Sequence, residues 1–203
     1  MQDESGSTNI VVVSILIGVV LLIGAILLFS GKEVVTLPLK FEEFTDLQCP
    51  ACKTYHPVVK TLVEEFSDNV DYEFKNYPLK ELHPDSYNRH LASEAAKLQG
   101  KFTEATDLFF AKQEAMSDEE LTTMISTIPG IDIEKFKTDW KSQAVKDAVD
   151  ADITEGLSRG INATPTFYIN GEKVVFKQGD NPEDVLRKTI QDKIQIGLSQ
   201  QAK

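Results

Sequence analysis

Apolar positions follow three different rhythms along this chain. The first is a solid block: Ile10 to Phe29 holds no charged side chain, and its only polar one is Ser14. Its twenty residues, at ~1.5 Å of rise each, cover ~30 Å, the thickness of a bilayer's hydrocarbon core. This predicts a transmembrane anchor over 10–30, after a short tail at 1–9 and before a linker at 31–36. A cleaved signal peptide is the alternative. It has a shorter apolar core behind a basic start and ahead of an A-x-A-like site. Here no basic residue precedes the run, and Phe29-Ser30-Gly31-Lys32 is a poor cleavage site.

The second rhythm is alternation. Leu37, Leu39 and Phe41 predict a strand over 37–44, followed by a turn at 45–48. Val70, Tyr72 and Phe74 predict another over 70–77, and Thr166 to Ile169 a third. Asn170-Gly171 then marks a two-residue hairpin, with a return strand over 173–176. The third rhythm is helical. From Pro50, the positions Ala51, Tyr55, Val58, Val59, Leu62, Val63 and Phe66 fall on one face. Pro50 suits the first helical position, and Pro57 lies inside the helix, where a kink is expected. Residues 83–158 read as all α, with a capping box at Ser117 to Glu120 and an N-cap at Asp132. A last helix starts at Asp180 or Asn181. The order is β-α-β, a helical block, a β-hairpin and a helix.

Composition narrows the functional classes. The 203 residues carry 32 acidic and 21 basic side chains, a net charge of −11. Such a surface repels nucleic acid, and no basic patch offsets it. Lys32 and Lys40 follow the apolar run and no basic residue precedes it, which favours a cytoplasmic C-terminal domain. The bias is two residues, and a folded domain can override it.

The chemistry lies in the only two cysteines, Cys49 and Cys52, which are separated by Pro50 and Ala51. None is left to staple the fold. Cys49 falls at a helix start, where unpaired N–H groups and the helix dipole favour thiolate. Thiols of C-x-x-C motifs in such places have pKa values of ~3.5–7.5, against ~8.5 for a free cysteine. Cys49 is thus expected as the exposed nucleophile and Cys52 as the buried resolving thiol, with exchange passing through a mixed disulfide.

These residues resemble the thioredoxin superfamily, and its DsbA-like branch in particular. The likeness rests on the strand leading into Phe44-Thr45-Asp46-Leu47-Gln48-Cys49-Pro50-Ala51-Cys52 and on Pro57, eight residues past the first cysteine. It rests also on the loop Ala163-Thr164-Pro165-Thr166-Phe167 and on the inserted helical block. The fold implied is α/β: a thioredoxin-like core at 37–79 and 159–197, a helical insertion at 80–158 and a tail at 198–203, preceded by a single N-terminal transmembrane helix. The resemblance implies a cis bond before Pro165, facing the Cys49 sulfur, with Thr164 offering its backbone to a substrate strand. Pro50 and Ala51 would contact substrate and tune the potential. Glu43 matches the family's buried acid, able to accept a proton from Cys52, although the neighbouring Glu42 could take that role.

The implied activity is disulfide formation in extracytoplasmic proteins, from a single-pass membrane position. Reduction or isomerisation by the same fold is the alternative. No cofactor and no metal are implied, since the cysteines carry the electrons. A membrane redox partner, such as a quinone-linked protein, would reset them. Two readings of another class compete: a tethered peptide-binding chaperone, and a metal site using Cys49, Cys52 and His56. His56 is otherwise a surface residue, and His83, His90 and Trp140 read as helix-packing or surface residues. Asn162-Ala163-Thr164 is a formal glycosylation sequon, read as coincidence.

Overall fold

The structure, a computed structural model, describes residues 37–201. The expected anchor, its tail and its linker lie outside the described residues, as do the last two positions. Among the described residues no helix is long and apolar enough to cross a membrane.

The sheet has four strands: β1 (Leu39–Thr45), β2 (Val70–Asn76), β3 (Thr166–Ile169) and β4 (Glu172–Lys173), in the order β2-β1-β3-β4. β1 runs parallel to β2 and antiparallel to β3, and β4 closes a hairpin on β3. The crossover from β1 to β2 is helix α1 (Pro50–Glu65). Between β2 and β3 lie five helices: α2 (Ser86–Lys97), α3 (Phe102–Ala111), α4 (Asp118–Ser126), α5 (Ile133–Trp140) and α6 (Gln143–Ser158). Helix α7 (Pro182–Gln201) ends the described chain.

Central strand β1 is buried on both faces, so its side chains divide between two layers. Phe41 packs with Val59 and Leu62 of α1, Phe167 of β3, and Leu186 and Ile190 of α7. Phe44, on the opposite face, packs with Tyr77, Ile161 and Tyr168. Helix α6 approaches that face so closely that a Cβ on Gly156 would stand 2.3 Å from the Tyr77 ring and 3.2 Å from Phe44.

The insertion has its own core around α2, which is buried on nearly every side. Arg89 within it is completely buried. Its guanidinium donates to the carbonyls of Phe109, Lys112 and Glu114, which meet the unpaired end of α3. Ser117 forms the expected capping box with Glu120, and Asp132 accepts from the N–H groups of Glu134 and Lys135 at 3.1 and 3.0 Å.

Several boundaries depart from expectation. β1 starts two residues later and includes Thr45, and the first helix of the insertion starts at Ser86. The return strand over 173–176 shrinks to Glu172–Lys173. The turn is as read, with Asn170 and Gly171 both at positive φ, 51° and 76°. After Val174 donates to Phe167 O the chain leaves the sheet, because Phe176 turns to pack on Tyr55 and Phe167. On α1 the buried positions are Cys52, Val59 and Leu62, while Ala51 is exposed. Its small side chain does not belong to the core face.

Candidate active site

Thr45 ends β1, and a tight turn over Asp46 to Gln48 delivers Cys49 as the N-cap of α1. Cys49 N–H donates to Asp46 O at 3.0 Å, and Pro50 opens the helix where no N–H is needed. Both cysteines are free thiols packed against the core of the insertion. Cys49 retains 7% of its surface and Cys52 none. The order matches the sequence reading, but Cys49 is far less exposed than expected. The insertion and the Thr164 loop cover it, while Pro50 and Ala51 stand open to solvent.

The Thr164–Pro165 peptide bond is cis. Its loop lies against the redox pair, with Cys49 Sγ donating to Thr164 O at 3.6 Å. The Cys49 thiol is drawn down to about 5, first by the adjacent Cys52 thiol, against the opposing effect of burial. The N–H groups of Cys52 and Ala51 and the Thr164 hydroxyl favour its thiolate further. Cys52 is driven the other way, far up, by burial and by Cys49. The Asp46 N–H reaches its sulfur at 3.4 Å. Cys49 is thus biased toward thiolate and Cys52 toward thiol, the division that exchange requires.

The two candidate acids separate cleanly. Glu43 shares a β1 face with Phe41 and Thr45, toward α1. It is 2% exposed, accepts from Tyr72 OH at 2.6 Å and is pushed up to about 7 by burial, with Tyr72 and Thr45 opposing. Glu42, 1% exposed, faces the other way. Arg159 grips both of its oxygens at 3.1 and 3.0 Å, and Lys40 lies at 3.2 Å. These partners hold it below the usual carboxylate range against burial, so Glu42 is a locked ion pair rather than a proton acceptor.

Sequence reasoning missed the frame behind the turn. Asp46 is fully buried and accepts from the N–H groups of Gln48 and Leu79 at 2.8 Å, from His83 Nδ1 at 2.8 Å, and from Ser86 Oγ. Burial works to raise it, but the hydrogen bonds from Ser86, His83 and the Leu79 N–H hold it low. His90 is fully buried rather than a surface residue. Its Nε2 accepts from Leu47 N–H at 3.2 Å, which leaves Nδ1–H to donate to Asn76 Oδ1 at 2.8 Å. Burial lowers it to about 4, so it is neutral at physiological pH. Gln48 and Gln113 add further ties between turn and insertion. Asp46, three residues before Cys49, carried one readable signal, an Asx turn closed by Gln48 N–H. His56 is turned from the cysteines toward Asp107, at 2.6 Å, with its ring on Phe110. Beyond it a cavity of about 430 Å³ runs past Lys60, Tyr72 and Phe102.

A family model described as thioredoxin matches residues 37–192. Among curated proteins, the Na(+)/H(+) antiporter NhaA 1 of Mycolicibacterium gilvum (strain PYR-GCK) is 32% identical over 138 residues, covering 67% of this chain and 22% of that protein. NhaA 1 of Mycobacterium sp. (strain KMS) is 33% identical over 143 residues, with the same coverage. The chain spans about a fifth of the length of the curated relatives it matches. Among solved structures, the thiol-disulfide exchange protein alpha-DsbA2 from Wolbachia pipientis superposes with a TM-score of 0.67 at 22% identity, over 80% of this chain and 84% of that one. Oxidised BdbD from Bacillus subtilis gives 0.64 at 23% identity, over 81% and 91%. At these identities the likeness is one of fold.

Proposed function

This chain belongs to the thioredoxin family of thiol–disulfide enzymes, and from that membership we propose that it forms disulfides in substrate proteins outside the cytoplasm, by exchange through Cys49-Pro50-Ala51-Cys52. The observation that carries this reading is geometric: Cys49 caps the N-terminus of α1, Cys52 lies one turn in and fully buried, and the cis Thr164–Pro165 bond stands beside Cys49 Sγ. A substrate thiolate attacks Cys49 Sγ of the oxidised pair, Cys52 leaves, and a second substrate thiol then releases the mixed disulfide. The Thr164-Pro165 loop, which meets Cys49 Sγ through Thr164 O, is placed to receive the backbone of a substrate strand. Glu43 exchanges the proton of Cys52.

The sign of the Cys49 shift favours oxidation. A depressed pKa stabilises the reduced, folded state above the unfolded thiol value of 9.0, and that stability is lost as pH falls through about 5. At neutral pH the reduced form is therefore favoured, which makes the disulfide a stronger oxidant. The apolar run at 10–29 would tether the domain to the membrane, where a redox partner, such as a quinone-linked protein, reoxidises it. That disulfides persist outside the cytoplasm supports this location over the cytoplasmic one that Lys32 and Lys40 favour. The match to antiporters covers too little of their length to carry ion transport over to this chain.

The test is the reduction potential of Cys49–Cys52 in the full chain in detergent, by equilibration with glutathione buffers. A value nearer −120 mV than −270 mV supports a disulfide donor, and one at or below −270 mV makes the protein a reductase. A second measurement checks the direction of the Cys49 shift. Iodoacetamide alkylation of Cys49 should rise with pH through a midpoint near 5. A midpoint near 9 would remove the basis for the oxidising direction.

A further inference from the structure

Between Cys52 and Glu43 stands a hydroxyl that nothing in the fold explains. Thr45 is completely buried, and its Oγ1 has no partner within hydrogen-bonding length. It shares the α1-facing side of β1 with Glu43, two residues away. The next residue, Asp46, donates its N–H to Cys52 Sγ at 3.4 Å, which brings the end of β1 against that sulfur. The Thr45 hydroxyl lies near enough to both groups to favour their ionised forms. Tyr72 OH, at 2.6 Å, completes the row on Glu43 Oε2, and the Tyr72 ring lines the cavity. A buried hydroxyl without a partner is unfavourable, and valine would fill the same space in a strand without that burden.

We infer that Thr45 is the group through which Cys52 and Glu43 exchange a proton. This rests on the thiol–disulfide reading above. When a substrate thiolate attacks Cys49 Sγ, a new S–S bond forms there, the Cys49–Cys52 bond breaks, and its electron pair goes to Cys52 Sγ. The proton that neutralises this buried thiolate comes from Thr45 Oγ, which takes one in turn from the Glu43 carboxylic acid. In the reverse step Cys52 attacks the mixed disulfide, the substrate leaves as thiolate, and the proton returns through Thr45 to the Glu43 carboxylate. The titratable group that bears on Glu43 is Tyr72 from β2, on which Cys52 from α1 acts in turn. His56, Lys60 and Glu64 of α1 line the cavity shared with Tyr72.

The experiment follows the decay of a Cys49–glutathione mixed disulfide in the full chain, between pH 5 and 9. Thr45→Val should slow resolution by Cys52 on the order of 10- to 100-fold, within the range of general acid–base catalysis. It should also erase the rise in rate that accompanies ionisation of Glu43 near pH 7. Thr45→Ser should keep both rate and profile. A Thr45→Val chain that resolves at the wild-type rate with the wild-type profile overturns the inference. If Thr45→Val does not fold, the wild-type rate in H2O/D2O mixtures decides. A bowed dependence on deuterium fraction is expected for two protons in flight, and a straight line excludes the relay. Failure of the wild-type chain to resolve the adduct at all sinks the exchange reading itself.

Discussion

The two faces of β1 handle the same side chain in opposite ways. Glu42 and Glu43 are adjacent and both nearly closed to solvent, at 1% and 2% exposure, but Glu43 lies deeper in the protein. On one face Arg159 and Lys40 surround Glu42 with charge, and it stays ionised. On the other, Glu43 meets only hydroxyls and keeps its proton up to about pH 7. Accessible surface alone therefore does not distinguish a structural carboxylate from a reactive one. Depth and the charge of its donors decide together: Glu43 is the more desolvated and has no cation to offset it.

The comparison is sharpened most by Glu43→Gln, tested by denaturant unfolding of the disulfide form so that Cys49 does not titrate. Glu43 is raised from 4.5 to about 7, so its favourable contribution is present below 4.5 and lost as pH rises through 7. The variant should match the wild type at pH 4.5 and gain up to about 3 kcal/mol above pH 8. A constant difference across that range would show that Glu43 does not titrate as described. Glu42→Ala should do the reverse. It leaves Arg159 without its main partner and should lower stability by about 2 kcal/mol, reduced from the cost of a fully buried pair because Arg159 stays partly solvated. Glutathione exchange should continue at the wild-type rate, and a large loss of exchange would move the proton acceptor to this face. Lys40→Ala is the smallest effect. Lys40 is half exposed and bonds Glu42 from near the start of β1, so the loss should stay under about 1 kcal/mol by thermal melting.

The neighbouring acids also mark where the sequence stopped being legible. Alternation assigns Glu42 and Glu43 to opposite faces, but which face meets Cys52 depends on how α1 docks, and no local pattern encodes that. The cysteine pair, the capping box at Ser117 and the Asn170-Gly171 turn were readable because each is complete within a few residues, whereas the cis bond at Pro165 was reached through the family resemblance. Asp46 and His90 were not. Apart from Gln48 for Asp46 and Asn76 for His90, their partners lie 33 to 43 residues away and are brought in only by the fold. The return strand was overextended because Val174, Val175 and Phe176 have β-forming side chains. Tertiary packing of Phe176 on Tyr55 overrides that preference.

The link from Leu47 N–H to His90, beside the donors that 79–86 supply to Asp46, bears on how such proteins are recombined. The helical block looks like a guest lodged in a host fold, yet it holds one side of the turn that aims both thiols. A chimera that exchanged 80–158 for a foreign helical block would inherit the cysteines intact and lose the frame that orients them. The transplantable unit is the turn together with its helices, so lineages that trade one must trade both.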